Sequence, residues 1–130
     1  MTERAFPVAD AVTTPFWEGV AEGVLRVQRC GACGRHVFYP RAVCPHCTTG
    51  ELAWVEAGGG GRVHSFTVVH RAPAEYREEA PYVVALVELD EGVRLMTRLV
   101  DVAPADVRVD MPVEVAIQGD PRLPYFRPRR

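Results

Sequence analysis

The chain has 130 residues, 48% hydrophobic and 25% charged, with 15 Lys+Arg against 17 Asp+Glu and a formal net charge of −2. That apolar content supports one ordinary domain or two very small ones, and the absence of a basic excess argues against a general nucleic-acid binder, which must displace counterions. All 15 basic residues are arginine, and lysine and asparagine are absent, which excludes a lysine Schiff base, a P-loop lysine and N-glycosylation.

Residues 1–13 read as a loose arm that fits either a whole subunit or a domain cut from a longer fusion. Glu3, Pro7 and Asp10 leave no apolar core for a secretory leader, and no run approaches the roughly 18 apolar residues of a membrane span. A cytoplasmic setting is therefore expected, where paired cysteines serve more often as metal ligands than as disulfides. Thr14 followed by Pro15 predicts a helix start, with the hydroxyl as cap, proline at the first helical position and Glu18 in the first turn. Phe16 and Val20, and Trp17 and Ala21, repeat at four residues, and Gly23 ends the helix.

From Val24 the period changes to two. Val24, Arg26 and Gln28 alternate with Leu25, Val27 and Arg29, which predicts a strand leading into Cys30. Short strands are expected over residues 36–39, broken by Pro40, and over 52–56. The four glycines at 58–61 mark an internal boundary and read as a flexible hinge or bulge. No helix follows them, so a phosphate loop is excluded on context. The expected division is an arm and helix over 1–23, a cysteine-rich ribbon over 24–57 and a β-rich unit over 58–130.

Within that last unit, residues 62–70 predict a strand, and the nearly all-apolar 82–89 predicts one buried on both sides. Asp90-Glu91-Gly92 predicts a hairpin turn, followed by a strand with Leu95, Thr97 and Leu99 on one face. Residues 104–107 suggest one helical turn, and Val113, Val115 and Ile117 alternate again. Pro121, Pro124 and Pro128 punctuate a tail containing Arg122, Arg127, Arg129 and Arg130. This tail reads as a frayed, solvated terminus; docking onto an acidic surface or an anionic ligand is the alternative. Several short strands together suggest a small closed barrel, because closure removes exposed edges.

The clearest chemistry lies in two C-x2-C pairs, Cys30/Cys33 and Cys44/Cys47, separated by ten residues. Four thiolates in two knuckles suit a tetrahedral zinc ion and leave no open position for catalytic water. Two disulfides, a rubredoxin-type iron or a redox pair are the alternatives, and the βαβ context of a redox pair is missing. His46, inside the second knuckle, reads as a surface histidine. Arg29, Arg35 and Arg41 flank the knuckles and offset the charge of a four-thiolate site. His64 and His70 are expected to share a strand face as ordinary solvent- or partner-facing histidines. Glu75, Glu78 and Glu79 with Arg71 and Arg77 read as a solvated loop. No catalytic residue emerges: the single serine, Ser65, sits in a predicted strand rather than at a nucleophile elbow.

Several segments carry a family resemblance: Thr14-Pro15-Phe16-Trp17-Glu18-Gly19, Cys30-Gly31-Ala32-Cys33-Gly34, Tyr39-Pro40-Arg41 leading to Cys44-Pro45-His46-Cys47, residues 63–69, Pro81-Tyr82, Leu95-Met96-Thr97 and Met111-Pro112-Val113. In this order they resemble the zinc-ribbon plus OB-fold family known as "domain of unknown function 35". The resemblance implies a mainly β chain with an N-terminal helix, a rubredoxin-like zinc ribbon and a small OB-fold barrel. It further implies structural Zn2+ on Cys30, Cys33, Cys44 and Cys47 and no catalytic residue. Family members accompany thiolase-superfamily enzymes and MaoC-like hydratases, bridge archaeal thiolase–HMG-CoA synthase assemblies, and support a thiolase-like aldolase in bacterial steroid side-chain degradation. The expectation is a non-catalytic partner of such an acyl-CoA enzyme, with Phe16 and Trp17 as candidate docking anchors and arginines for CoA phosphates. The rival expectation, single-stranded nucleic-acid binding, needs a basic groove with stacking aromatics.

Overall fold

A computed structural model describes residues 7–48 and 51–129; Glu3 and Arg130 lie outside them. Helix α1 spans Thr14–Glu22 with Pro15 in its first turn. Its N-cap is Thr13 rather than Thr14, and the cap is built differently from the expectation. The Asp10 carboxylate accepts from the amides of Val12 at 3.0 Å and Thr13 at 2.9 Å, and the Thr14 hydroxyl donates back to the Asp10 carbonyl. The Asp10 turn thus organises the entry, and these amides hold its carboxyl below the usual carboxylate range, the Thr13 amide foremost. No acidic residue lies in the first turn, because the start at Thr14 moves Glu18 beyond it. Gly23 closes the helix with φ 85, a left-handed conformation that favours glycine.

Strands β1 (Arg26–Cys30), β2 (His36–Val37) and β3 (Leu52–Glu56) form an antiparallel sheet in the order β2-β1-β3. The simple alternation in β1 fails at its end. Arg29 is exposed, whereas Gln28 is buried, because the backbone of Arg41 satisfies its amide group. Strand β2 stops at Val37, short of the expected 39, and Phe38 and Tyr39 leave the sheet to pack elsewhere.

Strands β4 (Gly60–Val69), β5 (Tyr82–Leu89), β6 (Arg94–Leu99), β7 (Pro112–Gln118) and β8 (Leu123–Pro128) close into a barrel in the order β4-β5-β6-β8-β7. Short 3-10 turns at Ala74–Glu79 and Pro104–Asp106 connect β4 to β5 and β6 to β7. The second half of the glycine run is strand rather than hinge. Gly60 and Gly61 are buried and paired within β4, opposite Glu114 and Val113 of β7, with Gly61 also opposite Leu89 of β5. A Cβ on Gly61 would stand 2.5 Å from the Glu88 carbonyl oxygen, so close backbone approach demands the glycine.

Strand β5 is not buried on both sides: Val83, Ala85, Val87 and Leu89 line the core while the alternate residues are half-buried. Its outward face meets solvent, as a single-layer barrel requires. Gly92 makes the expected turn with φ 93, and Leu95, Thr97 and Leu99 face inward as predicted. In β7 the buried positions are Val113 and Ala116 rather than a full Val113, Val115, Ile117 face. A bulge in β4 shifts the pairing between Val63 and Ser65, inserting His64. The two-residue periodicity is broken there, so His64 and His70 do not share a face, although both are exposed.

The largest correction concerns the C-terminal segment. It is the closing strand β8, paired along β7 and touching β6, with Phe126 fully buried. One apolar core joins all parts: Phe16 and Val20 from α1, Leu25 and Val27 from the ribbon, and Val63, Leu95 and Phe126 from the barrel. Among the described residues, no helix is long and apolar enough to cross a membrane.

Candidate metal centre and docking cleft

The first knuckle begins where β1 ends. The Cys30 amide donates to the Arg35 carbonyl and the Gly34 amide to the Cys30 carbonyl, both at 2.9 Å, while the Cys33 amide points at Cys30 Sγ from 3.4 Å. The second knuckle is closed by the Thr48 amide on the Cys44 carbonyl at 2.8 Å. β2 lies between them in sequence and beside β1 in the sheet, which brings the two pairs together.

All four sulfurs lie within 4.8 Å of one another, with Cys30–Cys47 at 3.4 Å and Cys33–Cys44 at 3.8 Å. A tetrahedron with zinc–sulfur bonds of about 2.3 Å has edges near 3.8 Å, whereas a disulfide needs about 2.05 Å. The donor set therefore fits a thiolate-bound metal. Cys30 and Cys44 are buried, Cys47 half-buried and Cys33 exposed. The Arg35 amide pulls the Cys33 thiol down, but desolvation and the thiols of Cys30, Cys44 and Cys47 push it up, to about 11. At Cys44 desolvation raises the thiol, yet the amides of Cys47 and His46 leave it lowered. Sulfurs this close resist joint ionisation, and a divalent cation removes that resistance. His46 is exposed, with its Nδ1 3.3 Å from the Arg35 guanidinium, and stands outside the sulfur cluster.

A second feature lies where helix, ribbon and barrel meet. Phe16 packs edge-on against Trp17 with ring centres 4.9 Å apart, and 5.4 Å from Phe38, whose ring stands 4.4 Å from Tyr39. Phe16 is only 5% exposed, so of the two expected anchors it belongs to the core. Trp17 stays half-buried and lines an apolar cleft of about 350 Å³ with Tyr39, Leu95, Met96, Leu123 and Pro124. Tyr39 and Met96 are 52% and 62% exposed. The sequence pattern marks neither as an individual site residue. The signal for Met96 was an apolar residue on the outer face of an alternating strand.

The arginines are mostly engaged. Arg94 pairs with Glu88 at 3.1 Å, Arg98 with Glu79 at 2.8 Å, Arg127 with Glu114 at 3.2 Å and Arg129 with Asp90 at 3.6 Å. Arg122 donates to the Ala21 carbonyl at 3.2 Å. The described part of the tail is thus tied to the barrel, and Glu79 is ion-paired rather than merely solvated. Arg98 also lies 4.5 Å from the Tyr82 ring centre. These pairs offset the charge of the arginines on β6 and at the end of the chain.

Residues 17–53 match the ChsH2 rubredoxin-like zinc ribbon domain, and residues 54–118 match the ChsH2 C-terminal OB-fold domain. The chain belongs to the ChsH2, or DUF35, family. The ribbon match and the converging sulfurs together fit a structural Zn2+ site. The chain is 45% identical over 117 residues to a "Probable enoyl-CoA hydratase alpha subunit" of Thermomonospora curvata, covering 87% of this chain and 36% of that one. It therefore spans about a third of that relative's length. It is 35% identical to a "DUF35 domain-containing scaffold protein" of Methanocaldococcus jannaschii, covering 84% of this chain and 79% of that protein. Among solved structures, the "Ltp2-ChsH2(DUF35) aldolase" contains a chain that superposes with a TM-score of 0.86 at 41% identity, covering 95% of this chain and 98% of that one.

Proposed function

We propose that the chain is a non-catalytic accessory subunit or domain that docks on a thiolase-superfamily enzyme of acyl-CoA metabolism. The partner would be a lipid-transfer-type thiolase or aldolase acting on fatty or steroid side chains, and the docked chain would support its activity or its hold on the acyl-CoA. The observation that carries this reading is the near-complete superposition on a chain of the Ltp2-ChsH2 aldolase. The relatives named as scaffold and hydratase subunit support the same partner-bound role, with a hydratase as a further associate.

In this reading Cys30, Cys33, Cys44 and Cys47 hold Zn2+, which cross-links the two knuckles and supplies no reaction chemistry. Residues 24–57 form the metal-bound ribbon and 58–130 the barrel, with α1 bridging them. Phe38 and Tyr39 are carried from the ribbon to the barrel wall, so a rigid ribbon fixes one side of the cleft. Trp17 and the exposed Tyr39 and Met96 then present apolar surface for docking.

Co-expression with a thiolase-like enzyme encoded beside the chain tests the proposal. The expected result is one complex on size exclusion, with lyase or acyltransferase turnover that depends on the zinc-loaded chain. An enzyme fully active alone, together with no complex, overturns it.

A further inference from the structure

Strands β6 and β8 meet at a single register point, Leu99 opposite Phe126, supported by the Val100 amide on the Phe126 carbonyl at 2.8 Å. Toward Arg94, β6 is paired with β5 alone, from Leu99 opposite Val83 to Arg94 opposite Glu88. From Leu123 to Tyr125, β8 is paired with β7 alone. The Thr97 hydroxyl still reaches the Pro124 carbonyl at 2.7 Å; beyond it, toward Arg94, the two strands diverge, and the apolar cleft fills the wedge between them. On the open side of β6 the Met96 amide donates to the Tyr39 hydroxyl at 3.0 Å, so a side chain stands where a neighbouring strand would.

We propose that this wedge receives an extended, uncharged apolar segment of the partner enzyme, added as a short strand along the edge of β6 from Arg94 to Met96. The inference rests on the accessory-subunit reading and specifies how the partner is held. An unpaired strand edge offers backbone hydrogen bonds to an incoming strand, and side-chain pockets beside it select the sequence. Trp17, Met96 and Leu123 supply the apolar pockets. Charge decides the character of the segment. Arg94 and Arg98 flank the edge but are already neutralised by Glu88 and Glu79, so a charged residue entering the cleft would be desolvated without a counter-ion. An acyl chain would fill the apolar volume yet offer no backbone groups to the strand edge, leaving the Met96 amide on the Tyr39 hydroxyl. Tyr39 guards the Met96 amide in the free chain and yields it on docking.

Hydrogen exchange read by mass spectrometry tests this on the zinc-loaded chain, alone and bound to the co-purified thiolase-like enzyme. Exchange over residues 94–96 is expected to slow at least about tenfold in the complex. The Met96→Pro variant removes the edge donor without touching the β5 ladder, because that amide points away from β5, and is expected to weaken the complex about tenfold or more. Should Met96→Pro fail to fold, Tyr39→Phe decides. It removes the competing hydroxyl, and the partner is expected to bind about two- to tenfold tighter.

A complex that forms without protecting 94–96, or that is unaffected or weakened by Tyr39→Phe, overturns the wedge and leaves the accessory role standing. Octanoyl-CoA slowing exchange in β6 of the chain alone assigns the cleft to an acyl chain and also overturns the wedge. Failure of the wild-type chain to form any complex overturns both readings.

Discussion

Gln28 is 4% exposed, yet both ends of its amide group are used. Its carbonyl accepts from the Arg41 amide at 2.7 Å, and its Nε2 donates to the Arg41 carbonyl at 2.8 Å. The pair ties β1 to the loop that delivers Cys44. Gln28→Leu keeps nearly the same volume but strands the amide and carbonyl of Arg41. The expected loss is about 1–3 kcal/mol in denaturant unfolding of the zinc-loaded chain, with faster zinc transfer to a chromogenic chelator. Unchanged stability and transfer would show that water replaces the side chain at no cost. The alternating pattern places Gln28 on the polar face, and nothing local marks it as buried, because its partner is backbone 13 residues away. Phe16 was ambiguous for a related reason. An aromatic on a short helix reads equally as anchor or core, and only the approach of Phe38 from the ribbon settles it.

At the scale of the element, the ribbon has almost no core of its own. Cys30, Val37 and Cys44 form its buried cluster, with Cys47 and Leu52 packed against them. Most of that cluster is the metal site itself. Structural zinc contributes about 10–16 kcal/mol in small fingers, as much as the whole stability of a typical domain at about 5–15 kcal/mol. Leu25 and Val27, by contrast, belong to the core shared with the barrel. Removing zinc with a chelator is therefore expected to melt residues 30–48 selectively. Limited proteolysis should cut between the knuckles while β4 to β8 keep their exchange protection. No new cleavage, or collapse of the barrel along with the ribbon, would contradict this division. The knuckles were legible because cysteine spacing is itself the chemistry of the site. The cleft was not, because its walls come from α1, the residues after β2, β6 and β8, and no spacing in the chain encodes their meeting.

For the whole molecule, closure of the barrel depends on the segment that composition hides best. Pro124, Pro128 and the arginines suggest a solvated tail, yet this stretch pairs with β7 from Gln118 opposite Leu123 to Val113 opposite Pro128. The prolines are tolerated where the ladder makes least demand: Pro124 faces the open wedge and uses its carbonyl to accept from the Thr97 hydroxyl at 2.7 Å, and Pro128 ends the strand. Phe126 is 0% exposed and lies opposite both Leu99 of β6 and Val115 of β7, so one side chain sits at the seam where the barrel shuts. Phe126→Ala is expected to cost about 3–5 kcal/mol, a large part of a small domain's stability, and to lower the denaturant midpoint accordingly. Arg127→Ala, which removes a half-exposed ion pair with Glu114, is expected to cost no more than about 1 kcal/mol. A chain ending at Arg122 loses β8 entirely and leaves the edge of β7 and the Leu99 end of β6 unpaired. It is expected to lose cooperative unfolding and to aggregate. Were the segment a solvated tail, all three variants would melt with the parent. The ordering Arg127→Ala, then Phe126→Ala, then truncation, read from one set of denaturation curves, tests that the chain's last strand holds the barrel closed.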